Sequence, residues 1–188
     1  GIIVYPFGST YTYLDLTNSD IDLVVRLPGI STANDTKIKK KLMHITSVLH
    51  KPNCLKGYSL SNIHPIAHAK VPIIKFVATH QTAELYSITG TKKPANVPVK
   101  RSQKLRFNVD LSINNYTGVF NSHYILQVSL LDQRFCYLVF LLKDWATTYK
   151  IKDASQQKLS SYIIMLMLIY YLQSKLYYII LFFVYYSF

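Results

Sequence analysis

Acidic residues are scarce in this chain of 188 residues. Nine Asp and Glu stand against 21 Lys and Arg, which gives a formal net charge of +12. A protein this basic favours a polyanionic partner, such as nucleic acid, a phosphorylated ligand or an anionic membrane. Charge alone does not choose among these three partners.

Cysteine is almost absent. Cys54 and Cys136 lie far apart with no CxxC spacing, which excludes a disulfide framework and a cysteine-rich zinc site. A zinc site on His64 and His68 is also excluded, because Pro65 argues against one helix carrying both and no cysteine is near. The sequence shows no secretory leader, and it predicts a reducing, intracellular location, in the cytoplasm rather than the nucleus or mitochondria.

An uninterrupted hydrophobic run of membrane-spanning length is lacking too. The most apolar part of the chain is its last part, where Gln173, Ser174 and Lys175 divide residues 162–188 into two pieces. Neither piece reaches the roughly 20 residues that a span needs. No membrane partner is therefore expected.

Hydrophobic periodicity predicts strands followed by helices. The expected strands are 20–27, 70–77 and 105–113, and residues 2–5 are expected to be a strand or the end of a helix. The polar segment 79–104 is expected to be a loop or a weak hairpin. The expected helices are 37–50, 121–131, 133–150 and 160–173, with apolar faces on Ile38, Leu42, Ile45, Val48 and Leu49 in the first and on Leu138, Leu141, Leu142 and Trp145 in the third. This order predicts an α+β part that gives way to an all-α part.

The few carboxylates are placed unusually. Asp20 and Asp22 are two residues apart on a predicted strand, so both side chains project from one face. Two adjacent carboxylates repel each other unless a cation lies between them, and Mg²⁺ is a hard ion that takes such oxygen ligands. An isolated pair of this kind is more often an exposed feature of a surface strand.

Three further features favour a functional site. Glu84 is the only glutamate, so clustered acids are not background. Gly8 and Ser9 form a turn that leads into a helix, where backbone N–H groups and a hydroxyl suit a phosphate. Asp110 lies between apolar residues in the predicted strand RFNVDLSI, where a charged side chain needs a reason.

Gly8-Ser9, the Asp20-Ile21-Asp22 sequence and Asp110 together resemble the nucleotidyltransferase superfamily that includes DNA polymerase β. The segments 70–76, 109–125 and 138–173 look like those of template-independent RNA 3′-end transferases, the cytoplasmic poly(A) polymerases and terminal uridylyltransferases. The resemblance implies an α+β fold: a mixed nucleotidyltransferase sheet with flanking helices, followed by part of an all-α central domain. The implied domains are 1–118, catalytic and incomplete at its N-terminus, and 119–188, helical and truncated at its C-terminus.

The resemblance also implies roles for single residues. Three carboxylates would hold two Mg²⁺ or Mn²⁺ ions, and six residues would contact the nucleotide. The metal ligands would be Asp20, Asp22 and Asp110; Gly8, Ser9, Lys143 and Ser161 would bind phosphates, Asn121 the ribose and Tyr162 the base.

Each helical residue has an ordinary alternative role. Ser160, just before Ser161, is a candidate N-cap, and Asn121 a candidate cap of the helix it begins. Tyr162 could be core packing and Lys143 a surface lysine.

The chain departs from the family at Thr147, where a second basic residue is usual. Lys150, two turns beyond Lys143, is predicted to share its helix face and partly substitute.

The activity implied is addition of AMP or UMP from a nucleoside triphosphate to an RNA 3′ end, with release of pyrophosphate. The similarity of residues 151–173 to the cytoplasmic poly(A) polymerases favours ATP over UTP. The implied partners are the RNA 3′ end, the nucleotide and an RNA-binding adaptor protein. The alternative is a catalytically inactive RNA-binding or scaffold fragment of the same family.

Overall fold

The structure is a computed structural model that describes residues 3–16, 19–29, 36–80, 104–152 and 158–175. Contacts along the chain divide it into two compact units. The sheet unit consists of Gly1–Pro6 with Asp20–Asn115, and the helical unit of Phe7–Ser19 with Tyr116–Phe188. The chain thus leaves the sheet unit after Pro6, contributes a short segment to the helical unit, and returns at Asp20.

Within the described residues, five strands form one mixed sheet in the order β1-β2-β5-β4-β3. Strands β2 and β5 are parallel, whereas β4 is antiparallel to both β5 and β3. The strands are β1 (Ile3–Phe7), β2 (Ile21–Arg26), β3 (Tyr58–Ile66), β4 (Ile73–His80) and β5 (Leu105–Ile113). This mixed sheet, with a covering helix, confirms the α+β class of the prediction.

Helix α2 (Thr36–Leu49) supplies the apolar layer that covers the sheet. Ile38 and Leu42 are fully buried against Ile74 and Ile113, because residues four apart lie on one helix face. The predicted face was wrong at Val48, which is exposed.

The helical unit contains α1 (Gly8–Thr12), α3 (Tyr116–Leu131), α4 (Gln133–Thr148) and α5 (Ser161–Lys175). One hydrophobic cluster joins helices α3, α4 and α5 with Leu14, which follows α1. Its buried members are Leu14, Ile125, Val128, Phe135, Val139, Met165, Leu168 and Ile169. Burying side chains of this size stabilises a fold by about 1.5–3 kcal/mol each before the cost in chain entropy.

The apolar face predicted for α4 was wrong at two of its four positions, whereas Leu138 and Leu142 pack against the helical core as predicted. Leu141 is 67% exposed and Trp145 is 50% exposed, whereas the buried side of the helix carries Phe135, Val139, Lys143 and Ala146. Helix α4 is apolar on most of its circumference, so the spacing of its large side chains does not reveal which side packs.

Helix and strand bounds differ from the sequence prediction at several points. Strand β3 was missed, and α3 begins at Tyr116 rather than at residue 121. No helix among the described residues is long and apolar enough to cross a membrane. Most of the predicted loop at 79–104 and the apolar tail beyond Lys175 lie outside the described residues.

Candidate active site

Two of the three predicted carboxylates lie side by side in the sheet. Asp22 on β2 pairs with Asp110 on the parallel strand β5. Because paired residues of neighbouring strands project from the same face, the two carboxylates share one surface of the sheet. Asp20 lies two residues before Asp22, immediately ahead of the strand, and its charge reaches Asp22. The structure thus pairs Asp22 with Asp110 and leaves Asp20 just outside the strand.

A lysine that the sequence analysis did not select completes this row. Lys75 on β4 pairs with Asp110, and its Nζ donates to Asp110 Oδ2 at 2.6 Å. The same ammonium lies 3.9 Å from Asp20 Oδ2. Asp22, Asp110 and Lys75 therefore form one cross-strand row over β2, β5 and β4, which we call the carboxylate row.

The electrostatics of the row are unbalanced at Asp22. Burial, together with the negative charges of Asp110 and Asp20, raises the pKa of this carboxyl to about 6, against the opposing effect of Lys75. A charged group that is desolvated beside two like charges is held in an unfavourable state. Among the described residues, Asp22 forms no ion pair that would offset this cost.

The chemistry of the row fits a divalent cation. Its two carboxylates, with Asp20 beside them, supply hard oxygen ligands, and a cation would relieve the repulsion that adds to the effect of burial on the pKa of Asp22. In the described part of the chain, no group of three or more Asp, Glu, His or Cys side chains is arranged to hold a metal ion. Lys75 instead supplies the positive charge beside Asp110.

The Gly-Ser turn belongs to the helical unit. Gly8 has a φ of 69°, a left-handed conformation that glycine adopts without strain. It opens the short helix α1, in which the carbonyl of Ser9 accepts bonds from the Thr12 hydroxyl at 3.1 Å and from Leu14 N–H at 3.2 Å. The N–H of Gly8 donates to Ser122 Oγ on α3 at 2.7 Å.

Lys143 is the most unusual side chain of the helical unit. It is only 2% exposed, and its Nζ donates to the backbone carbonyl of Leu14. Burial, together with the positive charge of Lys152, lowers the pKa of the ammonium to about 8, and Asp15 opposes the shift. The alternative of an exposed surface lysine is therefore wrong.

The other predicted nucleotide contacts lie on α3 and α5. Asn121 is in the second turn of α3 and does not cap it. Ser161 opens α5 behind Ser160, whose hydroxyl accepts from Ile163 N–H at 3.2 Å and so acts as the predicted N-cap. Tyr162 is half-buried against the helical core, and burial raises its pKa.

The expected substitute for Thr147 was wrong. Helix α4 ends at Thr148, and Lys150 follows it with a φ of 54°. Lys150 therefore does not continue the helix face that carries Lys143. Thr147 turns its hydroxyl back onto the Lys143 carbonyl at 2.7 Å.

Comparison with known proteins places this arrangement in a family. Residues 1–129 match the model of the central palm domain of mitochondrial-like poly(A) RNA polymerases. The chain belongs to this family. Its palm domain thus includes both the carboxylate row and the Gly-Ser turn.

Curated relatives agree with the family match. The chain is 30% identical to Protein HESO1 of Arabidopsis thaliana over 163 residues, covering 86% of this chain and 27% of HESO1. It is 31% identical to Poly(A) RNA polymerase GLD2-B of Xenopus laevis over 161 residues, covering 86% and 26%. The chain therefore spans about a quarter of the length of these relatives.

Solved structures share the fold. The Cid1 poly(U) polymerase with Mg and 3′-dATP superposes with a TM-score of 0.57 at 26% identity, over 91% of this chain and 42% of Cid1. The structure of the GLD-2/RNP-8 complex gives a TM-score of 0.63 at 23% identity, over 92% of this chain and 51% of that chain. The palm domain is thus similar in sequence and in fold to nucleotidyl-transferring enzymes.

Removal of Lys75 tests the balance of charge in the carboxylate row. In Lys75→Met without divalent cations, we expect stability to fall by about 1 kcal/mol, because the ammonium is half-exposed and its ion pair is partly screened. Mg²⁺ should raise the melting temperature of the variant more than that of the wild type, since the cation replaces the lost charge.

Thermal melts in EDTA and in a Mg²⁺ series measure both effects. Lys70→Met is the matched control, because Lys70 is an exposed lysine just before β4. Equal Mg²⁺ responses in Lys75→Met and the wild type would contradict the interpretation.

Proposed function

We propose that the protein acts as, or as part of, a template-independent RNA 3′-terminal nucleotidyltransferase. It adds AMP, or UMP, from a nucleoside triphosphate to an RNA 3′ end and releases pyrophosphate. The observation that carries this proposal is the pairing of Asp22 with Asp110 on parallel strands, with Asp20 beside them. The family match over residues 1–129 supports the same reaction.

We assign the metal-holding role to the three carboxylates. Asp20, Asp22 and Asp110 would hold two divalent ions, Mg²⁺ or Mn²⁺, and the desolvation of Asp22 favours a bound cation. When bound, such ions lower the pKa of a 3′-hydroxyl and neutralise charge on a departing pyrophosphate. The magnesium named for the Cid1 structure is consistent with this assignment.

The nucleotide would be held by the helical unit. Ser9 is assigned to the triphosphate, with Gly8 giving the turn its left-handed backbone. Ser161 lies at the start of α5, where backbone N–H groups and the helix dipole favour phosphate. Asn121 is assigned to the ribose and the half-exposed ring of Tyr162 to the base. Lys143 reaches phosphate only by leaving the Leu14 carbonyl.

The transfer step is a displacement at phosphorus. The 3′ oxygen of RNA forms a bond to the α-phosphorus while the bond from that phosphorus to the pyrophosphate oxygen breaks. We assign Asp110 to the 3′-hydroxyl proton, because its carboxylate is the central member of the carboxylate row. Pyrophosphate carries away the electron pair of the broken bond.

Nucleotide and partner are proposed from the relatives. GLD2-B is a poly(A) RNA polymerase, and the human relative Terminal uridylyltransferase 7 is 29% identical over 156 residues, 83% of this chain and 8% of that protein. We propose ATP first and UTP second. The GLD-2/RNP-8 complex supports a protein partner, which we propose to be an RNA-binding adaptor. Cytoplasmic location stays a prediction.

The test is extension of a labelled oligoribonucleotide with each nucleoside triphosphate separately, in Mg²⁺ or Mn²⁺. Extension with ATP or UTP is expected, and the double variant Asp20→Ala/Asp22→Ala should show none. A wild-type protein that binds RNA but extends it with no nucleotide would overturn the proposal in favour of an inactive RNA-binding scaffold.

Salt dependence tests how RNA is held. The chain has a net charge of +12, and we expect phosphate contacts with little sequence readout. RNA affinity should then fall steeply with salt, by roughly 0.7 log units per phosphate contact for each tenfold rise in salt. Fluorescence anisotropy with two unrelated oligoribonucleotides measures the slope. A flat slope, or a large difference between the two sequences, would contradict this mode of binding.

A further inference from the structure

The segment that carries the Gly-Ser turn is fastened to two long helices of the helical unit. The N–H of Gly8 donates to Ser122 Oγ on α3 at 2.7 Å. The carbonyl of Leu14, just beyond α1, accepts from the buried Lys143 Nζ on α4. These two polar bonds bracket the turn, one at its first residue and one after its last.

The hydroxyl of Ser122 is fixed in orientation. Ser122 is 6% exposed, and its Oγ donates to the Gly118 carbonyl of the preceding helical turn at 2.7 Å. A hydroxyl has one hydrogen to donate and two lone pairs to accept with. Since the hydrogen is used inside α3, the oxygen presents an acceptor to Gly8, and the N–H of Gly8 is fully occupied by it.

The far end of the turn is equally constrained. Tyr13 ends α1 in the left-handed conformation at a φ of 57°. Leu14 follows with its side chain 1% exposed, in contact with the helical core. A backbone that is bonded at one end and buried at the other has little freedom to shift Ser9.

We propose that Ser122 is a positioning residue that attaches Gly8, and with it the Gly-Ser turn, to helix α3, and that the Lys143–Leu14 bond is the second attachment. This inference rests on the proposed function. It assigns the phosphate contact to Ser9 and not to the N–H of Gly8, because that N–H already has its acceptor in Ser122. Ser122 then acts on nucleotide binding through the turn.

The first test observes the Gly8 amide itself. Phe7-Gly8 is the only Phe-Gly pair in the sequence, so ¹³C-carbonyl-Phe and ¹⁵N-Gly labelling selects this one amide signal. In Ser122→Ala we expect the proton signal to move upfield and hydrogen exchange to become about five- to tenfold faster, as loss of one hydrogen bond predicts. Ser122→Thr keeps the hydroxyl and should restore both values.

The matched control is Ser129→Ala. Ser129 also lies on α3 and also donates to a carbonyl of its own helix, that of Leu126 at 2.7 Å, and the bond it makes is not to the turn. This variant removes an equivalent hydroxyl and should leave the Gly8 signal unchanged. A Gly8 signal that Ser122→Ala leaves in place, or that Ser129→Ala moves equally, would overturn the attachment.

The second test measures extension. We expect kcat/KM for the nucleoside triphosphate to fall about tenfold in Ser122→Ala, because a shift of the turn misplaces the phosphates, and to recover in Ser122→Thr. A moved Gly8 signal with unchanged kcat/KM would overturn the positioning role. A wild type with no extension would overturn the proposed function instead, while the amide signal still decides the attachment.

Discussion

Asp22→Asn is expected to lower the rate of RNA 3′-end extension by about a thousandfold or more, while making the metal-free protein more stable. The loss follows because a carboxamide holds a divalent cation far more weakly than a carboxylate. The gain follows because burial and the neighbouring charges of Asp110 and Asp20 disfavour the ionised Asp22, raising its pKa to about 6. Removing that charge should add about 1–2 kcal/mol to the free energy of unfolding at neutral pH.

The variant should lose extension activity but gain stability, whereas a variant that simply unfolds would lose both. Extension assays and thermal melts in EDTA measure them on the same samples. Added Mg²⁺ should raise the melting temperature of the wild type and raise that of Asp22→Asn much less. Asp144→Asn is the control, because Asp144 is an exposed carboxylate on α4. Retained extension in Asp22→Asn would remove this carboxylate from the mechanism, and a lower metal-free melting temperature would contradict the electrostatic account.

The carboxylates were predictable because the period of a strand is short and strict. Residues two apart share a face, so Asp20 and Asp22 could be placed together without knowledge of the fold. Asp110 stood out as a charge inside an apolar run, and β5 has the bounds predicted from that run. The family resemblance then joined the two segments.

Lys75 and Ser122 escaped prediction for a different reason. Each acts through a residue far away in sequence: Lys75 is 35 positions from Asp110, and Ser122 is 114 positions from Gly8. Strand order and register decide the first contact, and helix packing decides the second. A signal for Lys75 did exist, because a lysine inside the apolar strand β4 is the same anomaly as Asp110 inside β5. Pairing the two anomalies would have suggested an ion pair.

Strand β3 was missed because its sequence resembles a loop. It lies at the edge of the sheet, is largely exposed, contains Pro65 and has an irregular register near residues 61–64. Edge strands need only one bonded side, so proline and polar residues are tolerated there.

The buried face of α4 was predicted incorrectly at Leu141 and Trp145 because this helix is apolar on most of its circumference. Hydrophobicity identifies such a helix, but its packing partners select the face.

The stability contributed by Lys143 should depend on pH in an unusual direction. Burial holds the pKa of its ammonium at about 8 in the folded protein, below the ordinary 10.5 of lysine. Between these two values the unfolded chain keeps the proton that the folded protein has lost, so a rise in pH favours folding. Below pH 8 the side chain is charged in both states, and in the folded protein the buried ammonium donates a hydrogen bond to the Leu14 carbonyl.

The free energy of unfolding of the wild type, relative to that of Lys143→Met, should therefore rise by about 3 kcal/mol between pH 7.5 and 10.5. Denaturant unfolding of both proteins at each pH measures the difference, in which the sixteen tyrosines and the other lysines cancel. Asp15 and Lys152 are the charged groups that act on Lys143. Lys150→Met, which removes an exposed lysine beyond the end of α4, should run parallel to the wild type. Parallel curves for Lys143→Met would show instead that the ammonium is hydrated in solution. That outcome would also free it from Leu14 and leave the Ser122 bond as the one that remains of the two polar attachments.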